Sequence, residues 1–276
     1  EDVETIMTST PPGRQVALFS ATMPPGIARV ASTHLRNPVR IQVSRPASTV
    51  ASVRQTFAVV PFRHKVGALS RLLATTDADA TIVFTRTRSS AEEVGSALVA
   101  RGIPAATISG DVAQKDRERI VERLREGTLD VLVATDVAAR GLDVDRIGLV
   151  VNFDVPTEPD AYVHRIGRTG RAGRTGIAMT FVTPNEQGRL RAIEKAIRQR
   201  LEETPIPSPA DVSAHRVKGL LARVPGRVTA GRLEMYRTAV NEAVAQGADL
   251  LELASALAAM SVGDDGPGSR TEEVIE

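Results

Sequence analysis

The run His164-Arg165-Ile166-Gly167-Arg168-Thr169-Gly170-Arg171-Ala172-Gly173-Arg174 sets four arginines at three-residue intervals, interleaves three glycines and contains no acidic residue. Arginine is costly to bury unpaired, so this is a poor pattern for a core. It is a good pattern for surrounding phosphate, which a guanidinium matches with a rigid fork of donors. The partner it implies is the triphosphate of a nucleotide, a nucleic-acid backbone, or both. Ser20 and Thr22 offer hydroxyls, but no histidine is placed to activate either, and His34, His64 and His215 are isolated. Four scattered histidines and no cysteine leave no metal-ligand spacing, thiolate site or disulfide.

Composition narrows the ligand further. The formal charge is only +2, yet of 35 basic residues just four are lysines, Lys65, Lys115, Lys195 and Lys218. Local clustering of arginine is therefore better evidence of phosphate binding than the total. With 3% aromatics and no tryptophan there is little material for base stacking. Nucleic-acid contact is expected to be mostly to backbone and indifferent to sequence. A hydrophobic content of 42% with 25% charge describes a soluble globular chain. No apolar run approaches the roughly 20 residues that span a bilayer, and no secretory signal opens the chain, so the expected location is the cytoplasm.

The elements that must position these groups read as a parallel α/β unit. Strands are predicted over Ser52 to Val60, Thr81 to Phe84, Ala105 to Ile108, Val131 to Ala134, Leu149 to Asn152 and Ile177 to Val182. Helices are predicted over about Arg63 to Ala74, Ser89 to Arg101, Gln114 to Glu126, Glu158 to Ile166 and Asn185 to Gln199. Short β-branched strands alternating with amphipathic helices indicate a parallel sheet covered on both faces. Ligands of such sheets gather beyond the carboxyl ends of the strands, where Thr85-Arg86, Ser109-Gly110-Asp111 and Thr135-Asp136 fall.

Before this unit, an acidic helix, a helix from Pro25 to His34, and two short buried strands at Gln15 to Phe19 and Val39 to Val43 are too little for a domain. They are read as the trailing end of something larger. After it, Pro205, Pro207 and Pro209 at alternate positions predict an extended spacer. Ser208, Pro209 and Asp211 then open a helix. Three helices follow, carrying Val217, Leu220, Leu221 and Val224, then Leu233, Tyr236, Val240 and Val244, then Leu250, Leu253 and Leu257 behind Asp249 and Glu252.

Ser20-Ala21-Thr22, Ile82-Val83-Phe84-Thr85, Gln114-x-x-Arg117, Ala134-Thr135-Asp136-Val137-Ala138-Ala139-Arg140-Gly141-Leu142-Asp143 and His164 to Gly173 together resemble the DEAD-box RNA helicases in order and approximate spacing. The resemblance covers about residues 1 to 200. It implies a first RecA-like domain represented only by its end (1–44) and a second RecA-like domain (45–203). The tail resembles the dimerisation module of some bacterial members (204–262), and residues 263–276 are expected to be disordered. No Gly-Lys-Thr or Gly-Lys-Ser phosphate loop is present, so ATP and magnesium would be held mainly by the missing first domain.

By the same resemblance, Arg168 and Arg171 would reach the γ-phosphate, with Arg171 the preferred arginine finger. Asp143, beside Gly141, would accept from the ribose, and His164 would couple this loop to Ser20 and Thr22. RNA would be held by Thr135, by the backbone of Ser109 and Gly110, and by Arg86, Arg117 and Arg140. Ser109 stands where family members commonly have histidine. No metal ligand is assigned to this chain. The implied activity is ATP-dependent local unwinding of short RNA duplexes, with the chain inactive alone and a homodimer formed through residues 208–260. The alternatives are a non-enzymatic RNA-binding or dimerisation module and, disfavoured by the motifs, a DNA-unwinding relative.

Overall fold

The computed structural model describes residues 2–11, 13–20, 23, 25–41 and 52–264. They fall into two compact units, residues 1–48 and 49–276.

The first unit contains helices α1 (Asp2–Thr8) and α2 (Pro25–His34). Neither predicted strand is found: residues 15–19 and 39–41 carry no strand assignment, and residues 42 and 43 lie outside the described residues. Phe19, Val39 and Ile41 are exposed. A strand needs an edge to pair with, and within this unit no described strand supplies one.

The second unit is built on seven parallel strands: β1 (Val53–Val59), β2 (Ala80–Thr85), β3 (Ala105–Ile108), β4 (Val131–Thr135), β5 (Ile147–Asn152), β6 (Gly176–Val182) and β7 (Glu202–Glu203). Their order is β3-β4-β2-β5-β6-β1-β7. The central strands β2 and β4 are buried along their whole length, as a sheet covered on both faces requires. Alternation along the strands divides the core. Val83, Val133 and Val151 pack with α3 (Lys65–Thr75) and α4 (Arg88–Ala100). Ile82, Leu132 and Val150 pack with Leu124 of α5 (Gln114–Glu126). Ala178 and Val182 pack with α6 (Pro159–Ile166) and α7 (Gln187–Ile197).

Three helices close the chain: α8 (Pro209–Thr229), α9 (Glu234–Ala245) and α10 (Leu250–Ser261). Ser208 and Asp211 form the capping box, and Asp249 accepts from the amides of Leu251 and Glu252. No residue of these helices is buried. The proline-rich segment, predicted as an extended spacer, does not stand off from the sheet but is tied to it. Thr204 N donates to Phe57 O at 2.8 Å beside the short β7, Ile206 packs on the core, and Arg71 Nε donates to Pro207 O at 2.8 Å. Extended backbone leaves its polar groups open, and here the sheet edge and α3 satisfy them. No helix among the described residues is long and apolar enough to cross a membrane.

Candidate functional site

The arginine run leaves α6 and enters the loop before β6, at the amino ends of the strands. Thr169 Oγ1 donates to the carbonyl of Ile147, the first residue of β5, at 2.6 Å. Ser52 Oγ donates to Gly170 O at 3.0 Å. Gly170 has φ +67°, and a Cβ there would stand 2.7 Å from Ser52 Oγ and Val53, so only glycine fits this close approach.

The four arginines do four different things. Arg165 is 3% exposed. It forks onto Asp136 at 2.6 and 2.8 Å, donates to Asn152 Oδ1 at 3.2 Å and Asp154 O at 2.8 Å, and lies over the Phe84 ring. The run therefore does contribute to the interior: burial is tolerated because each nitrogen of this guanidinium has an acceptor. Arg168 Nη1 donates to Leu142 O at 2.7 Å. Arg171 donates to Gly167 O and, at 3.2 Å, to the same Leu142 carbonyl, and it pairs with the Asp143 carboxylate. Arg174 pairs at the surface with Asp79.

Arg168, Arg171 and Asp143 thus form one cluster at the turn that Gly141 opens at φ +73°. Burial and the neighbouring Arg171 charge push the Arg168 guanidinium below the ordinary arginine range, against the opposing pull of Asp143. It stays a cation at neutral pH. His164 is exposed on α6, and Ser20 is exposed in the other unit. Thr22 lies outside the described residues.

The other predicted group sits at the opposite, carboxyl end of the strands. Arg86 follows β2, Ser109 and Gly110 follow β3, and Thr135 ends β4. Ser109 and Thr135 are buried, so this rim offers the backbone more than the two hydroxyls. Arg117 donates to the carbonyl of Arg140, drawing α5 onto the Thr135–Asp143 loop. The Arg140 side chain is exposed and has no ion-pair partner among the described residues.

Three residues have a place at this rim that the sequence does not make evident. Arg88 pairs with Asp111 and stands where a Cβ on Gly110 would meet it at 2.9 Å. Lys65, 1% exposed, donates to Phe153 O at 2.6 Å and faces Asp154 and Glu186. Burial pushes its ammonium below the usual lysine range although both carboxylates pull it up. Arg165 is the third. Their ion-pair partners stand 23 to 121 positions away, which no local pattern registers.

The family model described as "Helicase conserved C-terminal domain" matches residues 64–173, and that described as "RNA helicase DeaD dimerization domain" matches residues 207–273. The chain is 44% identical over 242 residues to the ATP-dependent RNA helicase DeaD of Mycobacterium tuberculosis, covering 88% of this chain and 43% of that protein. It is 39% identical over 274 residues to the DEAD-box ATP-dependent RNA helicase CshA of Bacillus subtilis, covering 99% and 56%. Among solved structures it is similar to the E. coli DEAD-box protein SrmB bound to regulator of ribonuclease activity A, with a TM-score of 0.53 at 37% identity, covering 55% of this chain and 90% of that one. It is also similar to S. cerevisiae Dbp5 bound to RNA and ADP BeF3, with a TM-score of 0.67 at 30% identity, covering 73% and 54%. The chain spans about half the length of the curated relatives it matches.

Proposed function

This chain belongs to the DEAD-box family of ATP-dependent RNA helicases, and from that premise we propose that it supplies the arginine finger and part of the RNA surface of an ATP-driven RNA-unwinding enzyme. The observation that carries the reading is the convergence of Arg168 and Arg171 on one carbonyl beside Asp143. Two guanidiniums and an acceptor-only carboxylate fit a nucleotide, the cations toward its phosphates and the carboxylate toward a ribose hydroxyl. Arg171 and Asp143 pair with each other here, so turning Arg171 toward phosphate frees Asp143 for the sugar in the same movement. Phosphoryl transfer to water needs magnesium, an ordered water and positive charge at the developing transition state. This chain's residues supply the charge, and the ion is assigned to a first RecA-like domain and the phosphates. Its own second RecA-like domain is assigned to residues 45–203, after a first-domain remnant over 1–44, and its helical module to 204–262.

RNA is assigned to the opposite rim, where the Gly110 backbone, Thr135, Arg86, Arg117 and Arg140 address phosphate and sugar and ignore base identity. The apolar side chains left exposed on α8, α9 and α10, Leu221, Val224, Tyr236 and Leu257 among them, are assigned to a two-fold contact between subunits. Arg171→Ala, made where this chain is joined to a first RecA-like domain, is expected to lower ATP turnover about 10³-fold, the scale of an arginine finger, while RNA affinity falls much less. Turnover that survives within a few-fold removes the assignment.

A further inference from the structure

Around the two ends of the sheet, Arg165, Arg171, Arg174, Arg86 and Arg88 each face a carboxylate. The outer face of α7 instead gathers cations around a concavity. Arg191 and Lys195 stand there one turn apart, about 6 Å along the axis, and Arg198 follows just past the helix end, where its φ of +57° leaves the helical path. All three are exposed, and none has a side-chain hydrogen bond or ion pair among the described residues. Arg200 joins them across a concavity of about 760 Å³ whose lining is completed by Glu194 and Gln199.

The single carboxylate of that lining is already committed. Glu194 accepts from Leu201 N at 2.9 Å and from Arg200 at 3.4 Å, and it is 8% exposed. It fixes the turn after α7 and leaves Arg191, Lys195 and Arg198 uncompensated. A favourable interaction with the helix dipole accounts for a cation in the last turn, as at Lys195, and extends neither to Arg191 nor to Arg200 beyond the helix end.

We infer that this face of α7 is a second nucleic-acid surface, one that binds the phosphate backbone of duplex RNA. Unpaired cations spaced along a groove are the footprint of a polyanion with regularly repeated charge. No aromatic side chain lines the concavity, so it offers nothing on which an unpaired base can stack. A duplex, with its bases inward and its phosphates outward, makes no such demand. The placement agrees: α7 follows the carboxyl end of β6 and runs about 16 Å away from that rim, so it is distinct from the loops assigned to a single strand. The surface goes beyond the rim reading and does not depend on it.

The test is the affinity of this chain for a short blunt RNA duplex and for an unstructured single strand, by fluorescence anisotropy over a salt series. The variants are R191E/K195E/R198E and its neutral counterpart R191Q/K195Q/R198Q. Because all three side chains are exposed, both variants should melt at the temperature of the parent. The charge reversal is expected to weaken duplex binding at least about tenfold, and the neutral variant to lower the duplex salt slope by about 2 to 3, the value for three lost phosphate contacts. Single-strand binding should change less than threefold in either, and Arg117→Ala should show the converse pattern. Duplex affinity within twofold of the parent overturns the inference. So does an equal loss for duplex and single strand, which would make α7 part of one common tract. Retained duplex binding with lost affinity for poly-glutamate would identify an acidic protein as the partner and also overturn it.

Discussion

Arg165→Ala removes the most heavily paired guanidinium of the arginine run, and its cost follows from the surroundings. The substitution deletes a two-pronged pair with Asp136, donations to Asn152 Oδ1 and Asp154 O, and the stacking on Phe84. Asp136 is 43% exposed and can turn to water, whereas Asn152 is fully buried and loses a donor it cannot replace. Breaking a buried ion pair by removing one partner costs about 3–5 kcal/mol. For a unit of this size that lowers the melting temperature by about 6–20 °C. Arg165→Lys keeps the charge and loses the fork, so it should cost less, about 1–3 kcal/mol, close to one charge-assisted hydrogen bond. Asp136→Asn leaves the arginine buried and poorly compensated and should cost nearly as much as Arg165→Ala. Arg165→Met with Asp136→Asn should recover part of the loss, because the charged partners go together. Thermal melts by circular dichroism, with urea titrations for the free energies, decide the matter. If Arg165→Ala costs less than about 1 kcal/mol, or if the Arg165→Met and Asp136→Asn effects simply add, the reasoning about this cluster is wrong.

Arg117→Ala should weaken binding to unrelated single-stranded RNAs alike and lower the salt slope by about 0.7, one phosphate on a single strand; a loss confined to one RNA sequence would mean base readout instead. The full chain should have the solution mass of a dimer and a version ending at Pro207, which keeps the Ile206 anchor, that of a monomer, with an interface burying at least about 1,000 Å² in total; two monomers at tens of micromolar would show that the helices are an extension of one subunit. Burial alone would raise the Glu186 carboxyl, but Thr183, the Lys65 charge and Arg86 outweigh it and hold the group below the usual carboxylate range. Its contribution to stability is therefore complete above the ordinary glutamate value and is lost as pH falls through the lowered one, so Glu186→Gln should flatten the acid limb of stability against pH; an unchanged limb would show that the lowered carboxyl contributes nothing there.

The parallel sheet was legible because each central strand is a short run of β-branched residues between strongly periodic helices. Ala105 to Ile108 and Gln114 to Glu126 run in the structure as their patterns predict. The two-residue β7 carries no pattern of its own and exists because Thr56 and Phe57 of β1 offer it an edge. The predicted strands of residues 15–19 and 39–41 fail for the converse reason: an apolar run registers the wish to be covered, not the presence of a cover. The proline-rich linker misled in the same way, since alternate prolines set its extended backbone correctly but say nothing of Ile206 finding the core.

The spacing of the arginine run carries the deeper lesson. An interval of three suggests one stripe only while the chain is helical, and α6 ends at Ile166, inside the run. Arg165 is still on the helix, where side chains lean back toward the N-terminus, and so it reaches the far, carboxyl end of the sheet at Asp136. Arg168 and Arg171 follow the helix end and turn instead to Leu142 at the amino end. Arg168 N nonetheless donates to Arg165 O at 3.1 Å. Asp154, whose carbonyl accepts from Arg165, also receives the amide of Arg86 on its carboxylate at 2.8 Å. One residue therefore ties the loop assigned to nucleotide to two of the loops assigned to RNA by unbroken hydrogen bonds. A shift of the Arg168 turn draws on the Arg165 main chain directly, and the Asp136 fork passes that pull to the residue beside Thr135. Contact of this kind is one physical route for coupling the two ends, and Arg165→Lys, which keeps the charge and breaks the fork, is the substitution that tests the link with the least cost to the fold.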